Sequence, residues 1–347
     1  MEPAPRVALA LGSGGARGYA HIGAIQVLEE RGYQIAAIAG SSVGALIGGL
    51  RAADQLDGFT EWVTGLSQID VVRLIDPSPS APGAIRADKL FARVKDLIGD
   101  VQIEDLPIPF TAVATDLIAR REVWFQQGSL AQAIRASTAM PSVVSPVMLN
   151  GRLLADGGLM NPVPVTPTVA VAAELTVAID LGGEHAQTLE RGPVRESAEI
   201  RPVEEWLDQF RIRATNFLEG DMVSSLLSRF GSDRSSASAD TSSEPEAGAA
   251  PDDDTELLPP GLTTMDVMGL SLEAMQSVIV RYRLGGYPPD ILVSVPKDTC
   301  RSLDLHRAAE VIEVGRQLTI DALDAAGLPV PPPSPPNPNS DGPRPAP

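Results

Sequence analysis

The sequence predicts an α/β fold, a sheet with helices on its faces. Three observations carry that expectation. Short apolar runs of strand length alternate with helical periodicity, the first two strands break into glycine-rich turns that open helices, and residues 146–155 read as a hairpin ending in Asp-Gly-Gly. The chain is organised around residues 35–44, where Ile-Ala-Ala-Ile-Ala runs into Gly40-Ser41-Ser42-Val43-Gly44 and good helix formers follow. In that strand–turn–helix context a Gly-x-Ser-x-Gly turn exposes its central serine, here Ser42. The elbow glycines Gly40 and Gly44 let strand and helix backbones close in, and a helix N-terminus favours developing negative charge. Ser42 is therefore the candidate nucleophile.

In chain order, Arg6–Leu11 is an apolar strand leading into Gly12-Ser13-Gly14-Gly15-Ala16-Arg17-Gly18, and Tyr19–Glu30 has helical character. Such a loop presents unobstructed backbone N–H groups to an anion. A dinucleotide fold begins the same way, but Gly40 and Ser41 occupy the place of its ribose-binding acid, and the Gly-Lys-Ser/Thr of a P-loop is missing. Helices are expected over 45–66, then a loop marked by Pro77, Pro79 and Pro82, a helix over 87–98, strands at 109–115 and 122–125, and a short helix at 129–137. Asn150-Gly151 between two apolar runs is the strongest short-range hairpin signal, and its second arm delivers Asp156-Gly157-Gly158. An acid at a strand end followed by open backbone can approach another loop closely, although most Asp-Gly pairs are plain turns.

A further strand is expected over 174–181 and a helix over 204–230, a segment that could be a lid or could pack on the domain. Residues 231–256 read as an acidic, disordered linker inside an insertion spanning 182–261. Met265, Met268, Leu272, Met275, Ile279 and Tyr282 form a helical stripe, expected to serve core packing rather than acyl binding. A strand over 290–295, a closing helix over 303–326 and a proline-rich, disordered tail over 329–347 complete the chain.

The net charge of −18 argues against nucleic-acid binding and against purely electrostatic attachment to anionic membranes. The single cysteine, Cys300, excludes an internal disulfide and reads as a bystander. The longest uncharged run, 36–50, is below membrane-spanning length, so a cytoplasmic protein, soluble or peripheral to the membrane, is expected.

A serine nucleophile needs a base. Of the histidines, His21 is expected to pack or cap, His185 begins an irregular region, and His306 lies in the closing helix. Ser42, Asp156 and His306 would fit the serine–acid–histidine order of α/β-hydrolases. The other option is a carboxylate that takes the serine proton directly, given a pocket that desolvates it.

Four motifs occur in order: Gly14-Gly15-Ala16-Arg17-Gly18, Gly40-Ser41-Ser42-Val43-Gly44, Ala136-Ser137-Thr138-Ala139-Met140-Pro141, and Asp156-Gly157-Gly158 followed by Asn161-Pro162-Val163-Pro164. In these the chain resembles the bacterial patatin-like phospholipases related to neuropathy target esterase. The resemblance implies a three-layer α/β/α patatin fold with a mostly parallel central sheet, in a catalytic domain spanning 6–326 and interrupted by the insertion. It implies a Ser42–Asp156 dyad with Asp156 as proton acceptor, and an oxyanion hole from the Gly14, Gly15, Ala16 and Arg17 amides. Gly157 and Gly158 complete the motif after the acid. Arg17 either orients the oxyanion loop or meets a lipid phosphate. No metal or other cofactor is expected, and the substrate is expected to be a phospholipid, a lysophospholipid or another lipid ester. The alternatives are a Ser-His-Asp esterase and a non-catalytic lipid-binding module.

Overall fold

The computed structural model describes residues 4–74, 83–85, 87–183 and 264–328. The chain divides into two compact units, Met1–Gly192 with Glu273–Pro347, and Pro193–Leu272. The sheet and the candidate site belong to the first unit; the described part of the second is the opening of one helix. The expected helix over 204–230, the acidic linker and the proline-rich tail lie outside the described residues.

Strands β1 (Arg6–Leu11), β2 (Gln34–Ser41), β4 (Phe110–Asp116), β9 (Leu175–Gly183) and β10 (Ile291–Pro296) form the parallel centre of an eight-stranded sheet. Its antiparallel flank consists of β5 (Arg121–Phe125), β7 (Val147–Leu149) and β8 (Arg152–Asp156). The strand order is β10-β9-β1-β2-β4-β8-β7, with β5 paired to β4. The β7–β8 hairpin turns at Asn150 (φ 51°) and Gly151 (φ 72°), the double positive-φ geometry that Asn-Gly supplies.

Both faces of β1, β2 and β4 are buried along nearly their whole length, which is why these strands read as unbroken apolar runs. Along β1 successive side chains go to opposite faces. Val7, Leu9 and Leu11 join the main core with α1 (Tyr19–Glu30), α2 (Val43–Ala52) and, near the C-terminus, α8 (Ala308–Ala325). Ala10 joins Ala178, Val163 and Val165 on the other face, against Val280 and Leu284 of α7 (Thr264–Gly286). The result is the three-layer arrangement.

The expected helical stretch over 45–66 resolves into α2, which begins at Val43, and α3 (Leu56–Thr64), followed by α4 (Gln68–Leu74). After the proline-marked loop, β3 (Gly83–Ile85) pairs in parallel with β6 (Ser142–Val144) in a separate small sheet, and α5 (Asp88–Ile98) follows β3. Helix α6 (Leu130–Ser137) is capped by the Ser129 hydroxyl, which accepts from the Gln132 amide. The closing helix starts at Ala308, after a separate 3-10 turn at Leu305–Arg307.

The methionine stripe is a correction. Met268, Met275 and Tyr282 are 57%, 58% and 80% exposed, so they do not serve core packing. The facing side of α7 is set by other anchors: Gln276 Nε2 donates to the Gly158 carbonyl at 2.8 Å, Arg283 pairs with Glu122 at 3.2 Å, and Val280 and Leu284 share that face in helical register. These contacts turn Met275 and Tyr282 outward.

Candidate active site

A strand has two edges for hydrogen bonding. On β4, one edge carries β5 from Ala112 to Asp116. The other is shared: β2 pairs in parallel along Phe110–Val113, and β8 pairs antiparallel along Ala114–Asp116. The two strands therefore run toward one another and end head to head, Ser41 opposite Val113 and Asp156 opposite Ala114. The residue after β2 is Ser42, and its Oγ donates to Asp156 Oδ2 at 2.5 Å across 114 positions of sequence.

Ser42 sits at φ 57°, ψ −124°, outside the regions an L residue prefers, at a strain on the order of 1–3 kcal/mol. Packing holds it there. A Cβ on Gly44 would stand 2.1 Å from the Leu11 carbonyl and 2.8 Å from that of Gly12, so the turn and the first glycine loop are in backbone contact that only glycine permits. The Ser42 amide donates to Ser137 Oγ at 2.9 Å, and that hydroxyl donates to the Val113 carbonyl at 2.6 Å. Ser137 is wholly buried.

Asp156 is wholly buried and fixed on every side. Its Oδ1 accepts from the Gly158 amide at 2.7 Å, its own amide donates to Ala139 O at 2.9 Å, and its carbonyl accepts from Thr115 Oγ1 at 2.9 Å. A side chain on Gly157 would meet the Val113 carbonyl at 2.1 Å and Ser41 Oγ at 2.5 Å. Burial is the largest influence on the carboxyl and pushes its pKa up from 3.8 to about 7, against the opposing pull of the Ser42 and Gly158 hydrogen bonds. A carboxylate with that pKa is a usable base near neutral pH.

The first glycine loop is tied to three distant segments. The Gly12 amide donates to Ile179 O at 3.0 Å, that of Ser13 to Pro162 O at 2.8 Å, and that of Ala16 to Ser302 O at 2.9 Å. Ala16 therefore differs from the expectation, its N–H being engaged inside the fold. Gly15 is at φ 61°, and the Gly14 and Gly15 N–H groups have no acceptor among the described residues. Arg17 Nη1 donates to the Lys297 carbonyl at 3.0 Å, which anchors the loop. His21 is wholly buried with Nε2 at 2.8 Å from the Gly12 carbonyl, and burial lowers its pKa to about 4. It is neutral at pH 7, and Nε2 carries the proton because its partner can only accept.

His306 is elsewhere, with Nε2 3.3 Å from Gln68 Nε2, and Asp156 gives its two oxygens to Ser42 and Gly158. The structure thus does not bring together the serine–acid–histidine set. His185 lies outside the described residues. Cys300 is buried with its thiol pKa pushed up to about 11, mainly by burial, so it is protonated. Sequence reasoning assigned no role to Ser137 or Ala139, although the motif Ala136–Pro141 contains both, and it missed Gln276 altogether.

A family model described as patatin-like phospholipase matches residues 9–169. An uncharacterised NTE family protein of Mycobacterium tuberculosis H37Rv is 48% identical over 339 residues, covering 92% of each chain. Patatin-like phospholipase domain-containing protein 6 of Homo sapiens is 31% identical over 185 residues, covering 51% of this chain and 13% of its own. The crystal structure of VipD from Legionella pneumophila aligns with a TM-score of 0.48 at 16% identity, over 93% of this chain and 67% of that one.

Proposed function

The chain belongs to the NTE family of patatin-like phospholipases, enzymes that hydrolyse lipid esters, and from that premise we propose that Ser42 and Asp156 form its catalytic dyad. The observation that carries this reading is the 2.5 Å hydrogen bond between Ser42 Oγ and the buried carboxylate of Asp156. In the proposed reaction Ser42 Oγ attacks the ester carbonyl carbon while its proton passes to Asp156 Oδ2. The Gly14 and Gly15 amides receive the oxyanion. Asp156 then returns the proton to the departing alcohol oxygen, leaving an acyl-serine. Water attacks that ester, its proton goes to Asp156, and collapse releases the fatty acid as Ser42 regains its proton.

Strain at Ser42 and burial of Asp156 support this assignment, because both set the geometry and the basicity before substrate arrives. The substrate class proposed is a phospholipid or lysophospholipid carboxylic ester. The test is stoichiometric labelling with a fluorophosphonate, coupled to hydrolysis of a panel of phospholipids, lysophospholipids and short-chain esters. Wild-type protein should be labelled at Ser42 and release fatty acid, and Ser42→Ala should do neither. Labelling that persists in Ser42→Ala, or an inert wild-type protein, would sink the assignment.

A further inference from the structure

Two turns at the carboxyl end of the sheet have no part in the chemistry above. The β4–β5 turn contains Leu117, Ile118, Ala119 and Arg120 and closes at Arg121; the β7–β8 turn, Asn150-Gly151, lies between Leu149 and Arg152. They are neighbours: the Leu117 amide donates to the Leu153 carbonyl at 3.0 Å, and Leu153 pairs with Met148. Both stand at the same end of the sheet as Ser42, because β4 runs parallel to β2 and continues past its last partner, Val113. Strand β8 leads directly from the second turn to Asp156, four residues or about 13 Å from Arg152.

Neither turn is slack. Asp116 is buried, and its Oδ1 accepts from the Ile118 amide at 3.1 Å and the Ala119 amide at 2.9 Å. The second turn is the Asn-Gly pair with both φ angles positive. Yet the first turn and the strand that leads into the second hold out apolar side chains, Ile118 being 75% and Met148 66% exposed. Around them stand Arg120, Arg121 and Arg152, all exposed and without an acidic partner among the described residues; the acid at the first turn is the buried Asp116, opposite Arg121 in the ladder, and Glu122 beyond it is taken by Arg283. Three positive charges are thus gathered on one edge of a chain whose net charge is −18.

From this juxtaposition we propose that the two turns dock the protein on an anionic phospholipid bilayer, Ile118 and Met148 entering the interface and the three arginines meeting lipid phosphates. Charge complementarity selects the occupant. An anionic surface repels the protein as a whole, and fields are screened within about 8 Å at physiological salt, so only a local basic edge with apolar points can settle on it. Guanidinium groups suit phosphate oxygens in pairs. Docked this way, the end of the sheet bearing Ser42 faces the lipid. This inference rests on the lipid-ester reading of the site but is tested separately from it.

The test is flotation of the full chain, in a Ser42→Ala background so that lipid is preserved, with vesicles of phosphatidylcholine alone and mixed with phosphatidylglycerol. Binding should require phosphatidylglycerol and weaken with salt. It should fall at least roughly tenfold in an Arg120→Gln, Arg121→Gln, Arg152→Gln variant and again in an Ile118→Ser, Met148→Ser variant. Made in the wild-type background, both variants should turn over a soluble short-chain ester as wild type does, which also shows that they fold. Undiminished vesicle binding by both variants overturns the proposal. So does a change confined to self-association in sedimentation velocity, which would make this edge a protein interface. Failure of wild-type protein on the soluble ester, with vesicle binding intact, would instead break the catalytic reading and leave the docking edge standing.

Discussion

The loop Gly12–Gly18 and the turn Gly40–Gly44 look alike as sequence: each is a glycine-rich break between a parallel strand and a helix. Folded, they differ in what takes up their amides. The first has its Gly12, Ser13 and Ala16 N–H groups claimed by carbonyls of Ile179, Pro162 and Ser302, while those of Gly14 and Gly15 are left without an acceptor among the described residues. The second has its Ser42 N–H claimed by Ser137 and its Ser42 side chain turned onto Asp156. A glycine-rich turn after a strand is thus raw material; the long-range hydrogen bonds decide whether it leaves backbone donors free or turns a side chain onto a distant partner.

Removing the proposed base should separate the two turns most sharply. Asp156→Asn should lower kcat/KM on a soluble ester by about 100- to 10,000-fold, with the first loop intact. The same substitution carries a stability signature. The Asp156 pKa of about 7 in the fold exceeds its ordinary 3.8, so between those values the native state holds a proton that the unfolded chain releases. Wild-type stability should therefore decline as pH rises from about 4 to 7 and stay lowered above. In thermal melts the Asn variant should gain on wild type over that window; parallel curves would contradict the buried-acid picture.

Disturbing the donor loop should have the next largest effect. A Cβ on Gly15 would meet the Ser302 carbonyl at 2.7 Å at a φ of 61°, so Gly15→Ala should shift the loop and reduce kcat by about 100- to 1,000-fold. Fluorophosphonate labelling of Ser42 should slow with it, whereas a change in KM alone would argue against an oxyanion role.

Wild-type kcat/KM should fall about tenfold per pH unit below about 7, as Asp156 gains the proton that blocks it. His21 will not add a second limb in this range, since burial holds its pKa near 4. A limb that survives in Asp156→Asn would point to another base.

Ser137→Ala should have the smallest effect on turnover. It leaves the Ser42 amide and the Val113 carbonyl unpaired in a buried place, which costs about 1–3 kcal/mol of stability in denaturant titrations. If part of that appears in the transition state, kcat falls roughly tenfold per 1.4 kcal/mol. Ser137→Thr, which keeps the hydroxyl, should recover kcat; equal loss in both variants would assign Ser137 to packing alone.

Much of this molecule was legible before folding. The apolar run before Gly40, the Asn150-Gly151 hairpin and the acid at its end each announce themselves within about ten residues, because strand alternation and turn chemistry are local properties. The methionine stripe shows where local reading fails. Its periodicity identified the helix, but which face packs was decided by Gln276, Val280, Arg283 and Leu284 finding partners on the sheet and on the segment after β8. Exposed methionines and buried ones have the same spacing.

What the sequence determined by itself is the set of parts: strands that end in flexible turns, a serine at one strand end, an aspartate at another. Only the tertiary structure decided that β2 and β8 share one edge of β4 and meet end to end, that Ser137 holds the Ser42 amide, and that Asp156 titrates near 7. The physical reason is range. Backbone preference acts between neighbours in the chain, whereas desolvation and hydrogen bonding at Asp156 sum over groups that are distant in sequence and become neighbours only when the sheet closes around them.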